Sequence, residues 1–133
     1  MLIKIATLNL SLLIAHQIDA AYWHEWDLFG LPGGIQLFNF LNVLIFGVLL
    51  AFFVELCRMS RAGFAGSLVV AGASSLVLPI HSGFALAGHP EFHLPFSIFL
   101  IVSTFAVSLV QVVLTFRYRT VRAGRHAMRG GPP

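Results

Sequence analysis

Between Ile35 and Leu56 the chain carries one ionisable side chain, Glu55, in a run otherwise built from Leu, Phe, Val, Ile, Gly, Ala, Asn and Gln. A helix rises about 1.5 Å per residue, so a run of this length crosses roughly 30 Å of hydrocarbon. Three further stretches are nearly as apolar. Of 133 residues 58% are hydrophobic and only 10% charged, more apolar surface than a soluble domain of this size can hide. The sequence therefore predicts an all-α integral membrane protein. Its domain covers residues 1–116, with four transmembrane helices over 3–22, 35–57, 63–87 and 96–116 in an up-down bundle. Residues 117–133 are read as a basic, then Gly- and Pro-rich, flexible cytoplasmic tail. The N-terminal stretch lacks a convincing cleavage site and is read as a retained helix.

Charge placement supplies an orientation. Seven of the eight basic residues, Arg58, Arg61, Arg117, Arg119, Arg122, Arg125 and Arg129, fall in the turn after the second predicted span and in the tail. Five of six histidines and four of five acids fall toward the other side. Lys and Arg accumulate in cytoplasmic loops, so both termini are expected inside and the loops at 23–34 and 88–95 outside, in a bacterial inner membrane. The net charge of +3 is juxtamembrane, which suits anionic lipid and excludes nucleic acid as a partner. The single cysteine, Cys57, rules out a disulfide within the chain and a Cys-based zinc site.

Ionisable groups inside apolar helices are costly and point to function. His16 lies roughly 9 Å below the outer end of the first predicted span and His81 about 7–8 Å below the outer end of the third. The two imidazoles thus share a depth on different helices. Asp19 is one turn beyond His16 on the same face. Polar residues also recur at helical spacing: Gln36, Asn39 and Asn42; Ser67, Ser74 and His81; Ser97, Thr104, Ser108, Gln111 and Thr115. Such stripes fit helices packed around a shared polar interior.

His16, Asp19, His81 and, from the outer loop, His93 are the candidate metal ligands. Two imidazoles with carboxylates suit zinc, iron or manganese. Asp19 and Glu25 are the candidate catalytic acid–base groups. His16 and His81 are also placed to hold haem b through two imidazoles. The plain alternative is that His16 and Asp19 bond each other and the Asn residues and only fix helix register. Glu55, within reach of Arg58 and Arg61, reads as a snorkelling ion pair.

The string His16-Gln-Ile-Asp19-Ala20, followed by Glu25-Trp26, resembles the first-helix signature of a family of small bacterial four-helix membrane proteins of unknown function. That signature runs His-Glu-x-Asp-Ala and then Glu-Trp. The string His81-Ser-Gly-Phe-Ala-Leu-Ala-Gly-His89-Pro90-Glu91-Phe92, leading to Phe96-Ser97, is similar to the family's third-helix and loop pattern. The resemblance implies a four-helix membrane protein and supplies no activity. The chain departs from it at Gln17, where the family has Glu, and so lacks one carboxylate beside His16.

Three functions compete on these residues. One is a metal-dependent or acid–base enzyme acting on a lipid-like substrate at the outer leaflet. Another is a haem- or quinone-associated electron-transfer subunit. The third is a non-catalytic accessory subunit of a larger membrane complex, or a homo-oligomer, docking its polar stripes on partner helices. No Ser-His-Asp order, Gly-rich phosphate loop or Cys pair offers a catalytic template.

Overall fold

A computed structural model describes the backbone of residues 1–129 and the side chains of residues 1–121. Five helices follow in order: α1 (Leu2–Tyr22), α2 (Glu25–Leu28), α3 (Gly34–Cys57), α4 (Arg61–Leu86) and α5 (Pro95–Arg129). The helix α5 continues past Phe116, where the sequence suggests that the last span ends. Of the expected tail, residues 130–133 lie outside the described residues.

The expected bundle of four transmembrane helices is corrected here. Three helices are long and apolar enough to cross a membrane: Gly34–Cys57, Arg61–Leu86 and Pro95–Val121. The helix α1 has the length, at 21 residues. Lys4, Asn9, His16, Gln17 and Asp19 make it too polar. A fifth helix, the single turn α2, occupies the segment read as a loop. The protein is integral to the membrane, and its packing shows this directly. Its wholly buried side chains include His16, Gln111, Asn9, Thr104, Thr115, Ser74 and Ser108, while Phe40, Val43, Leu76, Phe99 and Val113 are exposed. Apolar residues outside and polar residues inside is the pattern of a protein solvated by lipid.

The polar content that bars α1 from the set of spans is what anchors it. Asn9 Nδ2 donates to Gln111 Oε1 of α5 at 2.8 Å. Gln111 Nε2 donates in turn to the Ser67 carbonyl and Ser67 Oγ of α4, both at 3.0 Å. Ser67 and Thr115 hydroxyls meet at 2.8 Å. The helix α5 is thus antiparallel to both α1 and α4, and one buried network sets the register of all three. The expected stripes on α4 and α5 are buried throughout, at most 7% exposed. The stripe on α3 differs: Gln36 and Asn39 are exposed, and Asn42 spends its amide on its own helix at Phe38 O. The helix α3 is peripheral and turns these residues away from the bundle.

Glycine sets how closely α3 and α4 approach. A Cβ at Gly63 would collide with the backbone at Glu55 and Leu56, and one at Gly66 with the Phe52 ring. The turn between the helices is closed by Ser60, whose side chain accepts from the Gly63 N–H at 2.9 Å as an N-cap. Gly63 lets the two backbones touch and Gly66 seats the Phe52 ring, close packing that in lipid is a main source of association. Gly63→Ala is expected to destabilise the fold by about 1–3 kcal/mol, the usual cost of overpacking. Gly72→Ala, where an added Cβ meets nothing within 4 Å, should stay within about 0.5 kcal/mol. Unfolding by detergent titration compares the two.

Candidate metal centre

The end of the bundle opposite Arg58, Arg61 and Arg117 gathers the histidines and acids of α1, α2 and α4. Trp23 closes α1, its backbone N–H bonding the Asp19 carbonyl at 3.0 Å. His24 then takes a left-handed conformation, φ 53°, uncommon for a residue with a side chain. The sharp reversal starts α2 and turns Glu25 back toward the bundle. Trp26, also buried, secures the turn by packing on Phe38 with ring centres 5.4 Å apart. Gly33 and Gly34, both at positive φ, lead the chain into α3.

Three donors from three helices then meet. His16 Nε2 and His81 Nε2 are 3.1 Å apart, and His81 Nε2 is 3.3 Å from Glu25 Oε1. One ligand atom from each of the three residues lies within 4.8 Å of the other two. His16 is 2% exposed, Glu25 6% and His81 7%. Phe92 roofs the group, its ring centre 4.1 Å from that of His81 and 5.8 Å from that of His16. Phe92 is itself buried and left-handed, φ 62°.

The proton count of this group is informative. His81 Nε2 faces two electron-rich atoms, and a single N–H there would be shared between His16 Nε2 and Glu25 Oε1. Both imidazoles protonated at 3.1 Å would repel in a buried setting. A cation between the three donors satisfies them all, which is the chemistry of a divalent-metal site. The Nδ1 atoms of both rings are buried without a hydrogen-bond partner.

The remaining sequence candidates sit nearby in other roles. Asp19 Oδ1 accepts from Ser97 Oγ of α5 at 3.0 Å, and Ser97 Oγ accepts from Trp23 Nε1 at 3.2 Å. Asp19 Oδ2 is buried and unpartnered. His93 is exposed; its Nδ1–H donates to Pro90 O at 2.6 Å and its ring packs edge-on to Trp23. Glu55 pairs with Arg58 at 2.7 Å at the far end, as its position suggests. The haem reading gains no support from the geometry. Two axial imidazoles at about 2 Å from iron, on opposite faces of a macrocycle, need roughly 4 Å between their nitrogens. Here the nitrogens are 3.1 Å apart, closer than that spacing.

Fold and site together define an all-α integral membrane protein with a buried His/Glu cluster of metal-chelating character. The chain belongs to the family of unknown function DUF6713, whose family model matches residues 2–118. No curated protein and no solved structure matches the chain.

The Asp19–Ser97–Trp23 chain ties α1 to α5 beside the centre. Ser97→Ala removes both bonds and leaves the buried carboxylate without a donor. A loss of about 1–3 kcal/mol is expected, read as a lower melting temperature.

Proposed function

We propose that the protein is a membrane metalloprotein whose divalent cation is held by His16 Nε2, His81 Nε2 and the Glu25 carboxylate. The observation that carries the reading is the spacing of the donors. At bonds of about 2.0–2.1 Å, the ligands of a tetrahedral ion stand about 3.3 Å apart. Two of the three edges here are 3.1 and 3.3 Å, and the third, between His16 and Glu25, lies within 4.8 Å. Zinc, iron or manganese would accept this set. Three protein ligands leave a coordination position for water, the arrangement of catalytic rather than closed structural sites.

Within this reading Asp19 is the base. It lies one turn beyond His16, and its Oδ2 has no donor of its own. Ser97 and Trp23 hold the carboxylate in place through Oδ1. His93 is left outside the proposed ligand set because its Nδ1 is committed to Pro90 O and its side chain is exposed. The proposed substrate is lipid-like. Exposed Tyr22, Phe29, Leu86 and Leu94 surround this end of the bundle and suit an acyl chain beside a polar centre. The proposed orientation places Arg58, Arg61 and Arg117 in the cytoplasm and the centre at the outer leaflet of a bacterial inner membrane, supported by the bias of basic residues.

Metal content after loading with zinc or manganese tests the site. Wild type is expected to hold about one ion per chain. His16→Ala, His81→Ala and Glu25→Gln should lose it, while Glu55→Gln at the other end keeps it. Asp19→Asn should retain the ion, because Asp19 bonds Ser97 and none of the three proposed ligands. Affinity should fall as pH is lowered, because protons compete for both imidazoles. Equal metal content in all variants would refute the centre. Orientation is tested separately by labelling His24→Cys in a Cys57→Ser background with an impermeant thiol reagent: reaction is expected from the outside, and reaction from the cytoplasmic side alone reverses the assignment.

A further inference from the structure

The helix α3 is partnered along one edge only. Its buried residues are Phe38, Leu49 and Leu56, and 11% of its apolar stretch is buried, against 44% and 39% for α4 and α5. Gly47 lies nine residues from both Phe38 and Leu56. Nine residues is two and a half turns, so Gly47 stands on the side of the helix directly away from the bundle. Around it Gln36, Phe40, Val43, Gly47, Leu50 and Val54 are all exposed. Their spacing alternates four and three residues, the 3.5-residue period of a seam between two supercoiled helices.

Lipid accounts for the apolar residues on this face but not for its glycine or its amides. Glycine inside a helix costs about 1 kcal/mol relative to Ala. The fold uses Gly63 and Gly66 for the close approach of α4 to α3, whereas a Cβ at Gly47 would meet nothing within 4 Å. Gly47 therefore has no packing reason within one chain. With Ala51, exposed one turn further on, it forms the pair of small residues four apart that lets membrane helices come close. The amides make the second observation. Asn42 commits its amide to Phe38 O, but Gln36 on the seam and Asn39 at its flank are exposed and make no hydrogen bond among the described residues. In lipid such groups bond across to another helix, and a polar residue at a seam position fixes register and the number of strands.

We propose that this seam of α3 is a homodimer interface, occupied by the α3 helix of a second copy of the chain running parallel to it. The chemistry selects a second copy. Copies inserted in one orientation hold each residue of α3 at the same depth, so Gly47 meets Gly47 and Gln36 meets Gln36 about a two-fold axis. An amide both donates and accepts, so Gln36 is complementary to itself: Nε2 of each copy donates to Oε1 of the other. The glycines bring the two backbones together near the middle of the helix, and Phe40, Val43, Leu50 and Val54 pack above and below them. No residue of the His16/His81/Glu25 group takes part, so the interface does not rest on the metal reading.

Sedimentation equilibrium of the full-length protein in density-matched detergent measures the association, and wild type is expected to dimerise. Gly47→Ile places a side chain where one chain has open space, so it should fold while weakening dimerisation by about tenfold or more, because two backbones can no longer touch. Gln36→Leu should weaken it about three- to tenfold, the equivalent of one or two interhelical hydrogen bonds of about 0.6 kcal/mol each. In native membranes, Val43→Cys in a Cys57→Ser background should give a disulfide-linked dimer under a mild oxidant. Val48→Cys in the same background should not, being exposed but turned about 100° from Gly47. Melting temperatures identify any variant that fails to fold, in which case the two cysteine positions decide. Wild type that stays monomeric at every concentration overturns the proposal. So does dimerisation unchanged in folded Gly47→Ile and Gln36→Leu, or equal cross-linking at positions 43 and 48. A cross-link from position 43 to a different protein, with none between copies, also overturns it and leaves the seam to another partner.

Discussion

A polar side chain surrounded by lipid has to find its partner inside the protein, and the bond from Asn9 to Gln111 is where this chain meets that demand. Gln111 reaches α1 with its carbonyl oxygen and α4 with its amide nitrogen. One side chain thus fixes the mutual height of three helices. With apolar surface equally content in lipid or in protein, packing alone would let the helices slide. The amide removes that freedom. The meeting of His16 with His81 follows from it, since both lie on the faces that Asn9 and Ser67 have already set against α5.

The same constraint explains why α1 is needed at all. Without α1, Gln111, Ser97 and His81 would each lose a buried partner. With it, the three apolar spans bury the polar face of a helix too polar to belong to their class, while its Leu8, Ile14 and Ile18 stay exposed. The helix α2 completes the arrangement cheaply. A single left-handed residue, His24, reverses the chain after α1 and delivers a carboxylate to two imidazoles. The cluster is therefore assembled from local backbone geometry on one side and long-range amide pairing on the other.

Periodicity made much of this readable in advance. The spacing of Ser67, Ser74 and His81, and of Ser97, Thr104, Ser108, Gln111 and Thr115, marks faces that are buried in the structure. Equal depth for His16 and His81 followed from counting residues to the helix ends. The pattern misled where burial is decided by neighbours rather than by spacing: Gln36 and Asn39 have helical periodicity but sit on the peripheral α3. Helix length misled at α1, because 21 residues suffice for crossing only if their average apolarity is high. Glu25 reads in the sequence as one acid among several in a loop. Its approach to His81 depends on the positive φ of His24, which no residue preference at that position announces. The proximity of Asp19 to His16 was legible, whereas its bond to Ser97, 78 positions away, was not.

Phe92 gives the cluster a cover held at a backbone cost. Its ring covers both imidazoles while its backbone holds a left-handed conformation that side chains generally avoid. The covering position is thus held by contacts with His81, His16 and Trp23 against a conformational cost of order 1–3 kcal/mol. A small displacement of the loop releases that strain, and the release offsets part of the lost contact. The cover over the imidazoles is thus a property of the loop that carries Phe92, separable from the donor set beneath it.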